Sequence, residues 1–354
     1  MGLLARLLGK GRQATGSGPR PSHGRIGPVL QVVHAPIPVD PRALHPSERD
    51  KGFCISIRSL AYAPDGGALV VCGTWVEPET ASTTIHVSGS VAILDARSLQ
   101  VVQYLDNGAF PGPVRYWRDG KSVVGKVDGE LRRRDVESGT VIATFDTKID
   151  VASLSEDGAA AVVWKLDRSV WAIDLLTGTR CGPYEPAQGR LLSVDAQHQF
   201  VVGTERGQVT LSNLLTGSRE ALGAWKGHEV SAASLSPNGS VLAVGSNEGV
   251  VALWKVDGNA KLFEFGLDKG RINHCLFTPD GSFLLFFSTT GGLYSANVAT
   301  YDIEATLNAH PEPILAAACS PDGGTLVTTG MSGTLMVWSL PRVGQAAATP
   351  PASA

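Results

Sequence analysis

The chain is built from short segments in which apolar and polar residues alternate, and turn residues separate one segment from the next. Residues 231–236, 241–245, 250–254 and 261–265 are four strand-like segments, some alternating and some continuously apolar, with Pro-Asn-Gly and Asn-Glu-Gly turns among them. Alternation with a period of two is typical of strands that have one buried face. Because no stretch with helical periodicity lies between these segments, the pattern predicts four short strands in about 40 residues.

A turn phrase of the type Ser/Thr-Pro-Asp-Gly recurs along the chain and divides it into units of similar length. Proline presets one backbone angle of such a turn, and Asp-Gly or Asn-Gly supplies the position with positive φ. The phrase or a close variant occupies residues 63–66, 117–120, 155–158, 236–239, 278–281 and 320–323, with a degenerate copy at 195–198. A regular period of this length predicts a repeat architecture.

The repeat defines seven units, at residues 52–107, 108–146, 147–185, 186–226, 227–266, 267–308 and 309–340. The last unit contains only three strands, and residues 29–34 form a good strand ahead of the first unit. Pairing this N-terminal strand with the last unit closes a ring and removes an exposed strand edge. We therefore predict an all-β fold: a seven-bladed β-propeller of four-stranded antiparallel blades, closed by an N-terminal strand that pairs with the last blade.

Two units carry a histidine and a tryptophan at similar spacing. Gly227-His228 precedes Trp254-Lys255, and Ala309-His310 precedes Trp338-Ser339. This frame resembles the Gly-His and Trp-Asp signature of WD40-repeat proteins. The resemblance implies a buried network of His, Asp, Ser or Thr, and Trp in each blade, with a structural role. The matching residues are His228, Trp254, His310 and Trp338, and the acidic position six residues before the tryptophan falls on Asp128, Asp167, Glu248 and Ser332 in units two, three, five and seven.

Composition narrows the functional classes. Apolar residues make up 43% of the 354 residues, which is enough for a large packed core, and the formal net charge is −3. That charge provides no electrostatic basis for nucleic-acid binding, so no nucleic-acid partner is expected. The five cysteines are widely spaced and contain no Cys-x-x-Cys pair: Cys54, Cys72, Cys181, Cys275 and Cys319. We expect reduced thiols and therefore a cytoplasmic protein.

The sequence contains no recognised catalytic or cofactor motif. Its eight histidines include no pair at metal-binding spacing, and it has neither a Gly-x-Ser-x-Gly segment nor a phosphate-binding glycine loop. No cofactor and no metal are expected. The leading hypothesis is a non-catalytic scaffold that presents a loop face to an unidentified partner protein. Since propeller enzymes assemble sites from several blades, an enzyme or small-ligand sensor with a site in the central channel mouth stays open as an alternative.

The rim of the channel where the innermost strands begin is the candidate partner-binding surface. Its residues carry mixed charge, which suits a polar protein interface and is also usual in solvated loops. The candidates are Arg58, Lys148, Asp150, Arg190, Glu229, Arg271 and Asn273. The insertion at residues 76–85 is a further candidate for recognition, or a tolerated loop extension. The basic run at 132–134 predicts either a patch for an acidic partner or a solvated face.

Residues 1–26 carry five basic residues and no acidic one, and four leucines among residues 3–8 share one helical face. This pattern favours a helix at a membrane surface or on a partner, and it is also found in frayed tails. A peripheral membrane adaptor with weak contact through residues 1–12 is therefore a third hypothesis. The expected organisation is a basic flexible tail at 1–26, the propeller at 27–341 and a disordered Ala/Pro-rich tail at 342–354.

Overall fold

The computed structural model contains strands and no helix in the part of the chain that it describes. It describes residues 29–33, 54–76, 87–108, 112–184, 189–194, 199–204, 208–213, 219–225, 227–258, 260–267 and 270–340. Within those ranges no helix is long and apolar enough to span a membrane. The two predicted tails, residues 77–86 and the degenerate turn lie outside the described residues. The membrane contact predicted for residues 1–12 therefore stays a prediction.

The described strands pair into seven four-stranded antiparallel sheets. Strand β1 (Val29–Val33) precedes sheet 1, which consists of β2 (Cys54–Tyr62), β3 (Ala68–Val76), β4 (Val87–Asp95) and β5 (Val101–Gly108). Sheet 2 consists of β6 (Val114–Tyr116), β7 (Ser122–Val127), β8 (Glu130–Asp135) and β9 (Val141–Asp146). Sheet 3 consists of β10 (Ile149–Leu154), β11 (Ala160–Lys165), β12 (Val170–Asp174) and β13 (Arg180–Tyr184). Sheet 4 consists of β14 (Gly189–Val194), β15 (Gln199–Thr204), β16 (Gln208–Asn213) and β17 (Arg219–Ala224).

The remaining sheets follow in chain order. Sheet 5 consists of β18 (Val230–Leu235), β19 (Val241–Ser246), β20 (Val250–Lys255) and β21 (Ala260–Gly266). Sheet 6 consists of β22 (Ile272–Phe277), β23 (Phe283–Ser288), β24 (Gly292–Asn297) and β25 (Ile303–Asn308). Sheet 7 consists of β26 (Ile314–Cys319), β27 (Thr325–Gly330) and β28 (Leu335–Ser339), together with β1.

Neighbouring sheets contact each other around a ring. The first strand of each sheet is the innermost: β2 contacts β6, β14 contacts β10 and β18, and β22 contacts β18 and β26. Strand β10 contacts β7 of sheet 2, and β26 contacts β2, so that the last sheet meets the first. This arrangement confirms the predicted all-β propeller.

The N-terminal strand completes the last sheet as expected. Strand β1 pairs antiparallel with β28, with Val32 opposite Met336 and Val33 opposite Leu335. The sheet order is β1-β28-β27-β26, so β1 covers the edge that β28 would otherwise expose. The first and last strands of the described chain therefore hold each other in place.

The predicted turn phrase follows the innermost strand in six sheets. Its glycines have φ between 68° and 73°, at Gly66, Gly120, Gly158, Gly239, Gly281 and Gly323. In sheet 3, Gly158 N donates to Ser155 O at 3.0 Å, and Asp157 Oδ1 accepts from Ala159 N at 3.0 Å. A Cβ atom on Gly158 would lie 2.7 Å from Tyr116 O, so a larger residue would clash there as well as strain the backbone.

Strand β23 shows why some segments are continuously apolar instead of alternating. Phe286 packs with Val251 and Ile272 on the side of sheet 5, while Phe287 packs with Ile314 and Trp338 on the side of sheet 7. Both phenylalanines are fully buried, because each sheet of the ring is covered on both faces. Burial of one such side chain contributes about 2–3 kcal/mol.

Candidate functional site

The innermost strands enclose a central channel that contains a cavity of about 530 Å³. We call one end of the channel the turn rim, formed by the turns at 63–66, 117–120, 155–158, 236–239, 278–281 and 320–323. We call the other end the strand-start rim, where the innermost strands begin. The cavity reaches the turn rim, and none of its lining residues is among the seven candidates predicted for the strand-start rim.

Prolines form most of the turn rim, and each packs beside the glycine of a neighbouring turn. The pairs are Pro64 with Gly120, Pro237 with Gly281, Pro279 with Gly323 and Pro321 with Gly66. The turns of sheets 2 and 3 have Arg118 and Glu156 at the proline position. Both side chains line the cavity. The mouth of the channel is therefore charged beside sheets 2 and 3 and lined by prolines at the turns of sheets 1, 5, 6 and 7.

Arg115, on β6, places its guanidinium in the channel wall. Its Nη1 donates to Val114 O at 2.8 Å, to Ser59 Oγ at 3.1 Å and to Leu60 O at 3.5 Å. All three acceptors are neutral, and no described carboxylate forms an ion pair with Arg115. Burial lowers the pKa of Arg115, while the negative charge of Glu156 raises it. The channel therefore holds a cation without a direct counter-ion among the described residues.

Glu156 supplies the opposite charge at the mouth of the same channel. Its carboxylate forms no hydrogen bond or ion pair with any described residue. Burial raises the pKa of Glu156, and Arg115 acts in the opposite direction. The two side chains therefore influence each other electrostatically without direct contact.

The deeper part of the channel is neutral near pH 7. His274 has a pKa lowered to about 4, chiefly by burial and further by the charge of Arg115. Burial also raises the pKa of Cys275 and of Cys319, so both remain thiols. Among the described residues no group of three or more His, Cys, Asp or Glu side chains is placed to hold a metal ion.

The strand-start rim has a different character. Arg58, Asp150 and Asn273 occupy the same bulged position in β2, β10 and β22, where the register with the next strand shifts by one residue. Arg58 and Asp150 are exposed, whereas Asn273 Nδ2 donates to Ile314 O at 3.2 Å. Asn273 therefore joins sheet 6 to sheet 7 in addition to lying on the rim.

The other candidates for this rim lie next to the bulged position. Lys148 is exposed with φ of 58°, and Glu229 N donates to Glu248 Oε2 at 3.2 Å. Arg271 N donates to Thr289 Oγ1 at 3.1 Å. Arg190 lies in β14, and its side chain is outside the described part of the structure.

Sheet 7 contains a buried chain of polar side chains. Trp338 Nε1 donates to Thr328 Oγ1 at 2.9 Å, and His310 Nε2 lies 2.8 Å from the same oxygen. His310 Nδ1 is buried without a hydrogen-bond partner among the described residues. The acidic position of the motif is Ser332, which donates instead to Glu312 Oε1 through its backbone N at 2.7 Å.

Sheet 5 contains the complementary half of that network. His228 Nδ1 lies 3.3 Å from Glu248 Oε2, and the Trp225 ring packs against the histidine ring at a tilt of 40°, with centroids 4.6 Å apart. Trp254 Nε1 is buried without a partner in the described part of the chain. In the third unit Asp167 Oδ1 accepts from Ser169 Oγ at 2.6 Å, and Trp171 Nε1 donates to that hydroxyl at 3.0 Å. Asp128 adopts φ of 53° in the turn before β8.

Comparison with known proteins accounts for these networks. Two segments, residues 219–255 and 302–339, match the family model described as WD domain, G-beta repeat. They contain Trp254 and Trp338 and end at or just after them. These two segments are WD40 repeats. The chain's fold and its WD-repeat relatives fit a non-catalytic protein-interaction scaffold, and WD40 propellers are generally not enzymes.

Three relatives show how much of this chain is similar to curated proteins. WD repeat-containing protein 90 of Mus musculus is 31% identical over 114 residues, which is 32% of this chain and 6% of the relative. Meiotic recombination protein rec14 of Schizosaccharomyces pombe is 27% identical over 107 residues, 30% of this chain and 35% of the relative. Protein LST8 homolog of Drosophila melanogaster is 30% identical over 116 residues, 31% of this chain and 37% of the relative. The chain thus spans well under two thirds of each.

The arginines of the basic run in sheet 2 form contacts within the protein. Arg132 Nε donates to Glu130 Oε2 at 2.8 Å, and Arg133 Nη2 donates to Asp119 Oδ2 at 2.6 Å. The Arg133 guanidinium also lies 4.1 Å from the centre of the Trp117 ring. Arg134 Nη1 donates to Gly139 O at 3.0 Å. These contacts favour the solvated-face interpretation over a patch reserved for an acidic partner.

Sequence reasoning missed the charged pair in the channel. It singled out neither Arg115 nor Glu156, which falls within the turn phrase at 155–158. Aligning the turn phrases could have drawn attention to Glu156, because it and Arg118 replace a proline that four other turns share. No comparable signal marks Arg115, whose position in the channel depends on the short strand β6.

Proposed function

We propose that this WD40-repeat protein is a non-catalytic scaffold that binds a partner protein at the strand-start rim of sheet 3. The observation that carries the proposal is a pair of exposed apolar side chains among charged ones. Leu166 is 69% exposed and Val151 is 45% exposed. Lys148 and Asp150 precede Val151 in the sequence, and both are exposed. An apolar centre with a charged surround is the usual composition of a protein interface.

The Leu166 turn is held rigidly by backbone hydrogen bonds. Leu166 N donates to Lys148 O at 3.0 Å, and Arg168 N donates to Lys165 O at 2.9 Å. Lys165 N donates to Ser169 O at 2.9 Å. Because little order has to be imposed on such a turn when a partner binds, its apolar side chain contributes more fully to affinity.

An ion cluster around the buried carboxylate of Asp146 also holds this turn. Lys165 Nζ lies 2.7 Å from Asp146 Oδ1, and Arg180 Nη1 lies 3.1 Å from Asp146 Oδ2. Asp146 belongs to sheet 2, whereas the two basic residues belong to sheet 3. The cluster therefore supports the turn across the boundary between two sheets.

The proposal includes three finer statements. The seven described four-stranded sheets and their ring of contacts support a closed seven-bladed propeller. The WD-repeat relatives support a role without catalysis. Cys275 and Cys319 are free thiols, which supports a reducing location such as the cytoplasm. Microscopy of the tagged full chain tests the location, and exclusion from the cytoplasm would contradict it.

Affinity purification from native extract with the full chain as bait tests partner binding. The variants are Leu166→Glu and the triple charge reversal of Arg58, Lys148 and Arg271 to Glu. Val102→Glu is the matched control, because Val102 is 67% exposed on the outer strand β5. We expect a stoichiometric partner with the wild type and the control, and a loss of at least about tenfold with Leu166→Glu.

Two results would contradict the proposal. The first is a partner that both rim variants retain, which would place the interface elsewhere on the propeller. The second is a folded wild-type protein that captures no stoichiometric partner. Circular dichroism of each variant establishes that a loss of binding is not a loss of fold.

A further inference from the structure

We propose that the central channel binds a small zwitterion of the α-amino acid type, with its carboxylate on Arg115 and its ammonium group on Glu156. The site differs in position and ligand class from the protein interface at the strand-start rim. The inference does not depend on that interface, because the two sites lie on different parts of the propeller.

Arg115 has the donors that a carboxylate needs. A guanidinium offers five N–H donors, and only Nη1 of Arg115 is used by the described residues. The remaining donors on Nε and Nη2 form an edge that matches the two oxygens of a carboxylate. Three neutral acceptors hold Nη1, so the guanidinium is oriented before any ligand arrives.

Glu156 provides the complementary charge for an ammonium group. Its carboxylate has no hydrogen-bond or ion-pair partner among the described residues, although Arg115 lies in the same channel. Arg115 is half-buried in the channel wall and Glu156 is solvent-exposed at the mouth, so both charged groups are accessible to a ligand in the channel. A ligand that carries both signs of charge can pair with both groups at once, whereas a simple anion or cation would pair with one.

The rest of the cavity suits a modest apolar side chain. Leu154, Leu235 and Phe277 line it, and its volume of about 530 Å³ lies in the range of small-molecule sites. Burial keeps His274 and Cys319 neutral, so they add no competing charge. Arg118 and Asp157 also line the cavity at the turn rim, and its apolar wall residues predict an amino acid with an apolar side chain.

Isothermal titration calorimetry on the full chain tests the proposal with the twenty common L-amino acids as probes. For the amino acid that binds best, the corresponding carboxylic acid without the ammonium group and the amine without the carboxylate are titrated next. For leucine these are 4-methylpentanoate and 3-methylbutylamine. We expect each single-charge compound to bind at least about tenfold more weakly than the amino acid.

Variants then assign each charge to its residue. Glu156→Gln and Arg115→Lys are each expected to weaken amino acid binding at least about tenfold. In Arg115→Lys the charge remains but the paired donors are lost. The matched control Glu137→Gln, on an exposed turn outside the channel, leaves the affinity unchanged. If Arg115→Lys does not fold, Glu156→Gln and the single-charge compounds still decide the question.

Two outcomes would overturn the proposal. One is the absence of binding by every common L-amino acid at concentrations up to about 10 mM, in which case water alone bridges the two charges. The other is equal binding of the amino acid and its deaminated acid with no effect of Glu156→Gln. That result would indicate an anion site at Arg115 and no role for Glu156.

Discussion

Sheets 5 and 7 carry the same histidine and tryptophan frame, yet they form opposite halves of the network. In sheet 7, His310, Thr328 and Trp338 are linked, and His310 Nδ1 has no hydrogen-bond partner among the described residues. In sheet 5, His228 has its acidic partner Glu248, and Trp254 Nε1 has no acceptor in the described part of the chain.

The residue on the second strand explains the difference. Leu326 pairs with Trp338 and Leu242 pairs with Trp254, so the residues two places further along, Thr328 and Val244, are equivalent. A threonine hydroxyl can accept from the indole, whereas a valine methyl cannot. The comparison teaches that the motif residues determine packing, and that a neighbouring residue decides whether the polar network forms.

The largest expected effect is the removal of the hydroxyl in sheet 7. Thr328→Val leaves both His310 Nε2 and Trp338 Nε1 buried without partners, so we expect a loss of about 2–4 kcal/mol in the free energy of unfolding. The reciprocal Val244→Thr in sheet 5 provides an acceptor for Trp254 and should change stability by less than about 1 kcal/mol. Denaturant unfolding of both variants measures this, and equal losses would contradict our account of the difference.

The two tryptophans provide a smaller contrast. Trp338→Phe removes an indole N–H that is bonded to Thr328, whereas Trp254→Phe removes one that has no described partner. Both changes lose similar volume, so we expect Trp338→Phe to cost about 1 kcal/mol more. Unfolding midpoints measured under the same conditions test this order. A larger loss in sheet 5 would mean that Trp254 has an acceptor.

Acidification should weaken sheet 7 through its histidine. Burial lowers the pKa of His310 in the folded protein below its ordinary value of 6.5. As the pH falls below about 6.5, His310 becomes protonated in the unfolded chain while it stays neutral in the folded protein. The free energy of unfolding therefore decreases. His310→Gln should flatten this slope by up to about 1.4 kcal/mol per pH unit. Unfolding curves between pH 7 and 5 check this, and parallel slopes would exclude a contribution from His310.

The smallest effect is expected at the ion pair in sheet 5. The Glu248 side chain is 43% exposed, and its contact with His228 is 3.3 Å long. Surface pairs of this kind contribute about 0–1 kcal/mol, so Glu248→Gln should lower the free energy of unfolding by less than about 1 kcal/mol. High salt should further reduce the difference between the wild type and the variant. A loss as large as that of Thr328→Val would show that the acidic half of the network matters equally.

The turn phrase and the strand pattern could be predicted because both depend on local chemistry. Gly158 and the equivalent glycines of the other turns adopt positive φ because this type of turn requires it. The pairing of β1 with β28 was expected because the last unit lacked a strand. The candidates on the strand-start rim could be placed approximately for the same reason. Arg58 and Asn273 occupy equivalent bulged positions in β2 and β22. Asn273 also bridges two sheets, which the pattern of a single unit does not indicate.

The sequence by itself determined the repeated sheets, their turns and the closure of the ring, since alternation and turn preferences act over a few residues. Only the tertiary structure decided that Arg115 of sheet 2 and Glu156 of sheet 3 enter one channel without touching. It also decided that Leu166 and Val151 of sheet 3 are both exposed, with the Leu166 turn hydrogen-bonded to Lys148. The physical reason is that ring closure brings distant units together, and burial there sets which charges and apolar groups find partners.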